Sequence, residues 1–125
     1  MPKLVLVMIG GATGAALRYL AGQVALRAAG PGFPWGTLFV NLAGGLLMGL
    51  LAGFLARASD GGEQLRLLLG VGILGGFTTF SAFSLETANM IERGQLAVAL
   101  LYTGGSVIGS VLLLFAGLWL ARLTT

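Results

Sequence analysis

The chain has 125 residues, of which 57% are hydrophobic and only 9% charged, with a formal charge of +3 from seven basic and four acidic side chains. A soluble domain carries about 25% charged residues, so this is the composition of a membrane protein. Without Cys or His there can be no disulfide, no thiolate or imidazole metal site and no Cys/His or Ser/His/Asp catalytic constellation.

Only four carboxylates remain, Asp60, Glu63, Glu86 and Glu92, and the first two read as loop residues, so no enzyme is expected. The basic residues are dispersed rather than clustered, which argues against a nucleic-acid partner and for contact with anionic lipid headgroups. A spanning helix needs about 20 mostly apolar residues. Four segments satisfy this, 4–26, 35–56, 65–90 and 96–121, and predict an all-α membrane protein with one four-helix domain covering 1–125.

The first span opens with a lysine, an apolar run and small residues, as a secretory signal does. Its apolar stretch runs past the length of a signal core, however, so a retained helix is expected. Arg18 lies inside it, and an intramembrane charge is a functional candidate by default. From Arg18 to the span end is about eight residues, or roughly 12 Å, within reach of snorkelling. Ala29-Gly30-Pro31-Gly32-Phe33-Pro34 then forms a turn-rich connection.

In the second span Gly45, Gly49 and Gly53 recur every four residues, and Asn41 and Arg57 extend the same row. Small residues at this spacing let helix backbones approach closely in lipid. Asn41 either bonds a neighbouring helix or aims a donor at an anion. A polar connection, 57–63, leads to the third span.

There Gly70-Val71-Gly72-Ile73-Leu74-Gly75 matches a dinucleotide-binding glycine pattern, but without a preceding strand the match is read as a by-product of glycine richness. Next comes Gly75-Gly76-Phe77-Thr78-Thr79-Phe80-Ser81-Ala82-Phe83-Ser84. Paired glycines and hydroxyl residues favour leaving the helix. Such backbone survives at membrane depth only when protein buries it or when it lines a polar cavity. A break near Gly75–Thr79 is therefore expected, with three spans and a re-entrant loop over 70–84 as the nearest alternative. Phe77, Phe80 and Phe83 recur every three residues, which suits packing. Phe80 and Phe83 are also interleaved with Ser81 and Ser84, and aromatic ring edges carry partial positive charge that suits a small anion.

After Ile91-Glu92-Arg93-Gly94, the fourth span carries Tyr102, Ser106 and Ser110 at i, i+4 and i+8. They form either interhelical hydrogen bonds or a hydroxyl track for a dehydrated ion. Tyr19, Trp35 and Trp119 sit near span ends, where amphipathic rings favour the headgroup layer. With four spans, Lys3, Arg57, Arg66 and Arg122 share one side and Arg27 and Arg93 the other, with Arg18 toward the latter. This bias barely specifies an orientation. Either other features fix the topology, or the chain inserts both ways and pairs antiparallel. Four helices are also too few to enclose a hydrated pore comfortably, so an oligomer is expected.

Gly10-Gly11-Ala12-Thr13-Gly14-Ala15 with Arg18-Tyr19, Gly36-Thr37-Leu38-Phe39-Val40-Asn41 with Gly44, and Gly75-Gly76-Phe77-Thr78-Thr79-Phe80-Ser81 fall in order on three successive spans. In these motifs and over its whole length the chain resembles the Fluc (CrcB) fluoride channels of bacteria. The resemblance implies a dual-topology antiparallel homodimer in the cell inner membrane, with two fluoride pores lined by both subunits and passive fluoride export that lowers the cytoplasmic concentration. It implies a structural sodium ion at the dimer centre, held by the main-chain carbonyls of Gly75 and Thr78. It puts Phe80 and Phe83 in the pore, Asn41 as the anion-facing amide, Ser81, Ser84, Tyr102 and Ser106 on the polar track, Arg18 in a vestibule and Glu86 near one pore mouth. Position 82, often hydroxylated in that family, is Ala82 here, so Ser81 and Ser84 are expected to supply the hydroxyls. Two other classes compete. A small proton-coupled multidrug transporter needs a titratable carboxylate deep in the first span, which is absent. A non-conducting membrane assembly subunit explains the glycines but neither the Thr-Thr break nor the hydroxyl stripe.

Overall fold

The computed structural model describes residues 2–57 and 62–124; Asp60, read above as a loop residue, lies outside the described residues. Two long helices come first, α1 (Lys3–Ala29) and α2 (Trp35–Leu55). The third span is segmented: α3 (Gly62–Leu65), a π-helical stretch (Arg66–Leu74), α4 (Gly75–Phe77) and, after an interruption, α5 (Ser81–Glu92). A continuous α6 (Leu96–Leu123) follows. Among the described residues four helical stretches, counting Gly62–Glu92 as one, are long and apolar enough to cross a membrane. Two connections are shorter than their composition suggests. Gly62 and Glu63 join the third span, where Arg66 donates to Glu63 at 3.0 and 3.2 Å. Ile91 and Glu92 complete α5.

Gly30 and Gly94 end α1 and α5 with φ of 77° and 78°, a left-handed conformation that costs a residue with a Cβ far more than glycine. They let the chain reverse between α1 and α2 and between α5 and α6; across the molecule α2 lies along α6, and α1 along the π-helical stretch and α4. On the α2–α6 seam a Cβ at Gly45 would sit 2.6 Å from Ser110 O, one at Gly53 2.5 Å from Ala121 Cβ, and one at Gly49 would collide with Leu114 O. Only glycine permits this approach, which in lipid replaces the hydrophobic drive with dispersion contact. Arg57 fastens the end of the seam by donating to Ala121 O at 3.0 Å. On the other seam a Cβ at Gly72 would lie 2.9 Å from Gly10 Cα, so the middle glycine of the dinucleotide-like pattern serves close backbone contact between spans.

Few side chains are interior. The main buried cluster joins Phe83, Met90, Ala99 and Tyr102, with Phe33, Leu38 and Val98 packed on it. Most large apolar side chains point outward, as a protein whose solvent is lipid permits.

Candidate functional site

The third span stops being helical at Thr78, whose N–H and Oγ1 both donate to Leu74 O at 3.0 Å. Thr78 itself is extended, with φ −84° and ψ 159°. Beyond it the backbone turns to side chains for partners. Thr79 N–H donates to Asn41 Oδ1 at 2.9 Å, and Asn41 Nδ2 donates back to Thr79 O at 3.0 Å. Ala82 N–H donates to Thr79 Oγ1 at 3.2 Å, which caps the start of α5. From α1, Arg18 Nε donates to Gly76 O at 3.2 Å, placing a cation on the carbonyl end of a helix segment, where it is favoured. α2 comes this close because residue 44 is glycine: a Cβ there would collide with Thr78 Cγ2.

In an α-helix each N–H closes on the carbonyl four residues earlier. The donors due to Gly75 O and Thr78 O are therefore the N–H groups of Thr79 and Ala82, and both go to side-chain oxygens instead. Gly76 O and Thr79 O are bonded by Arg18 and Asn41. The break thus strips two carbonyls of their helical donors while compensating their neighbours. Gly75 and Thr78 are the residues whose carbonyls the family resemblance assigns to sodium, and hard oxygen donors of this kind suit a hard cation. On this donor set the fit is good.

A groove of about 420 Å³ runs over the break, lined by Asn41, Gly75, Thr78, Phe80, Phe83, Ser106 and Ser110 among others, and among the described residues no charged side chain lines it. Of the fourth-span hydroxyl row only Ser106 and Ser110 line this groove, and the hydroxyls around the break differ in availability. Ser110 Oγ donates to Asn41 O at 3.2 Å. Tyr102 Oη donates to Glu86 Oε1 at 3.1 Å, and Thr37 Oγ1 to Glu86 Oε2 at 3.1 Å. Ser106 Oγ is buried and has no hydrogen-bond partner among the described residues. Each hydroxyl has one proton to donate, so the row Tyr102, Ser106, Ser110 is no uniform track: two protons are committed and that of Ser106 is left. Asn41 likewise has one amide hydrogen beyond its bond to Thr79.

The two phenylalanines also separate. Phe83 is buried, its ring 5.1 Å from Tyr102, which meets Phe33 edge-on at 5.3 Å. Phe80, 5.9 Å from Phe83, is 78% exposed. One is a wall and the other a rim. Ser81 and Ser84 sit at exposed positions of α5. Arg18, Thr37, Thr79 and Ala82 line a separate cavity of about 190 Å³. Thr37 was not singled out from sequence, whereas the Thr79 side chain was expected to offer the backbone a competing hydrogen bond and does so to Ala82 N–H. Thr37 was findable, since it precedes Asn41 by one turn and so shares its face.

A family model described as "CrcB-like protein, Camphor Resistance (CrcB)" matches residues 5–118. Among curated relatives, a protein named fluoride-specific ion channel FluC from Novosphingobium aromaticivorans is 60% identical over 118 residues, 93% of each chain. Proteins of the same name from a Caulobacter species and from Phenylobacterium zucineum are 60% and 61% identical over 123 residues, covering 98% of this chain and 96% and 97% of theirs.

Proposed function

The chain belongs to the CrcB family, and from that premise we propose that it is a fluoride-selective channel, a multi-pass membrane protein of a prokaryote that lets fluoride leave the cell passively. The observation that carries this reading is the unpartnered Ser106 hydroxyl in a groove without charge. Fluoride is small and strongly hydrated, so entry requires donors that replace its water shell, and exit requires that each be modest. The Ser106 hydroxyl, the spare Asn41 amide hydrogen and the edges of Phe80 and Phe83 are such donors, whereas a lysine or arginine in the groove would trap the ion. Arg18 serves a vestibule and Glu86 a pore mouth, with Tyr102 and Thr37 holding the carboxylate in place. Ser81 and Ser84 offer hydroxyls from the outer face of α5.

A single chain leaves Phe80 and the groove open on one side. An antiparallel homodimer with two pores closes that side and accounts for the nearly balanced flanking charges. At its centre the Gly75 and Thr78 carbonyls of each copy would hold a sodium ion, which supplies fixed positive charge that offsets the cost of an anion in low dielectric.

The test is fluoride efflux from liposomes containing the purified protein, followed with a fluoride electrode. Fluoride is expected to leave without a pH gradient while chloride stays. No fluoride efflux, or equal chloride efflux, overturns the proposal. A proton-coupled transporter would instead need a pH gradient to drive net flux, and α1 contains no carboxylate to carry the proton.

A further inference from the structure

We infer that Asn41 and Thr79 are positioning residues that hold the carbonyls of Gly75 and Thr78 open for a small monovalent cation, an inference that rests on the channel reading above. Two doublets flank the point where the third span breaks, Gly75-Gly76 in the short helix α4 before it and Thr78-Thr79 in the break itself. In each, the second carbonyl is bonded by a side chain from another span: Gly76 O by Arg18 of α1 and Thr79 O by Asn41 of α2. In each, the first carbonyl has lost its helical donor to a side-chain oxygen: the Thr79 N–H to Asn41 Oδ1 and the Ala82 N–H to Thr79 Oγ1. A side chain serving only to cap a frayed helix would satisfy carbonyls wherever they fell. This arrangement sorts them, compensating one of each pair and exposing the other.

The two diverted donors explain why these positions hold an amide and a hydroxyl. Asn41 must accept from Thr79 N–H and donate to Thr79 O at once, which a carboxylate or an apolar side chain cannot do. Thr79 must supply an acceptor three residues before Ala82. Remove either oxygen, and the freed N–H stands four residues after the carbonyl it closes on by default, so the helix can re-form over the open oxygen. Valine at position 79 keeps the branched shape and deletes only the acceptor; serine keeps the acceptor.

The experiment measures the melting temperature of the purified full-length protein in detergent against sodium concentration, with N-methylglucamine holding ionic strength constant. A ligand that binds the folded state raises stability with its concentration. Wild type is expected to be stabilised by sodium, and Thr79→Ser to follow it. Thr79→Val is expected to need at least about tenfold more sodium for the same shift, and Asn41→Leu, which deletes the other acceptor, to show the same loss. A wild-type sodium response in Thr79→Val or Asn41→Leu overturns the inference and leaves the channel reading intact. Absence of a sodium response in the wild type overturns the cation site itself, while fluoride efflux decides the channel reading separately.

Discussion

A buried hydroxyl with no partner costs about 1–3 kcal/mol, and Ser106 carries that cost in the wall of the groove. Replacing it should separate folding from conduction. Ser106→Ala is expected to melt at the wild-type temperature or slightly above, while fluoride efflux falls at least about tenfold, equivalent to about 1.4 kcal/mol on a barrier. Wild-type efflux in a folded Ser106→Ala protein would remove this hydroxyl from the ion path. At this scale the sequence shows which positions share a face but not which atoms bond. Asn41, Ser106 and Ser110 were all visible as polar side chains at helical spacing. That Ser110 donates to Asn41 O, that Asn41 is tied to the Thr79 backbone and that Ser106 is left over depend on ångström-scale placement of α2 against α6 and the break.

Between elements, the glycine row of α2 was legible because close approach in lipid demands small residues at that period. Its consequence is sharp at Gly49, where an added Cβ would meet Leu114 O. Overpacking of this kind typically costs about 1–3 kcal/mol. Gly49→Ala is therefore expected to lower the melting temperature of the purified protein and to reduce efflux through displacement of α6. An unchanged melting temperature would mean that the seam has slack it does not show. A break in the third span was legible too, but it starts at Thr78: Gly75 and Gly76 stay helical in α4, so the threonine pair marks it and the glycine pair does not. The π-helical stretch before it was not. There Gly75 N–H bonds Gly70 O, five residues back, a register that residue propensities do not encode. It coincides with the backbone contacts of Gly10 and Gly14 on Gly72 and Ile73, so packing between spans accompanies the change. Glu63 and Glu92 were misassigned to connections for a simpler reason: a charged residue at a span end reads as loop by composition while its backbone still completes a turn.

For the whole molecule, the spans follow from hydropathy alone, but the arrangement of copies does not follow from one chain. The flanking charges differ too little to impose one orientation, which is what the proposed antiparallel pair requires. Adding two lysines to the 29–34 connection should drive the chain into a single orientation, read by a C-terminal reporter, and suppress efflux. Co-expression with a copy biased the opposite way should restore it. Full efflux from chains held in one orientation would rule out the antiparallel arrangement. The central claim, passive and selective fluoride conduction, is tested most directly by the reversal potential in a planar bilayer. With a tenfold fluoride gradient, equal chloride and a varied pH difference, the account predicts reversal near the fluoride equilibrium potential, about 59 mV in magnitude for a monovalent ion, at every pH difference. Reversal near zero, or a potential that follows the proton gradient, would contradict it.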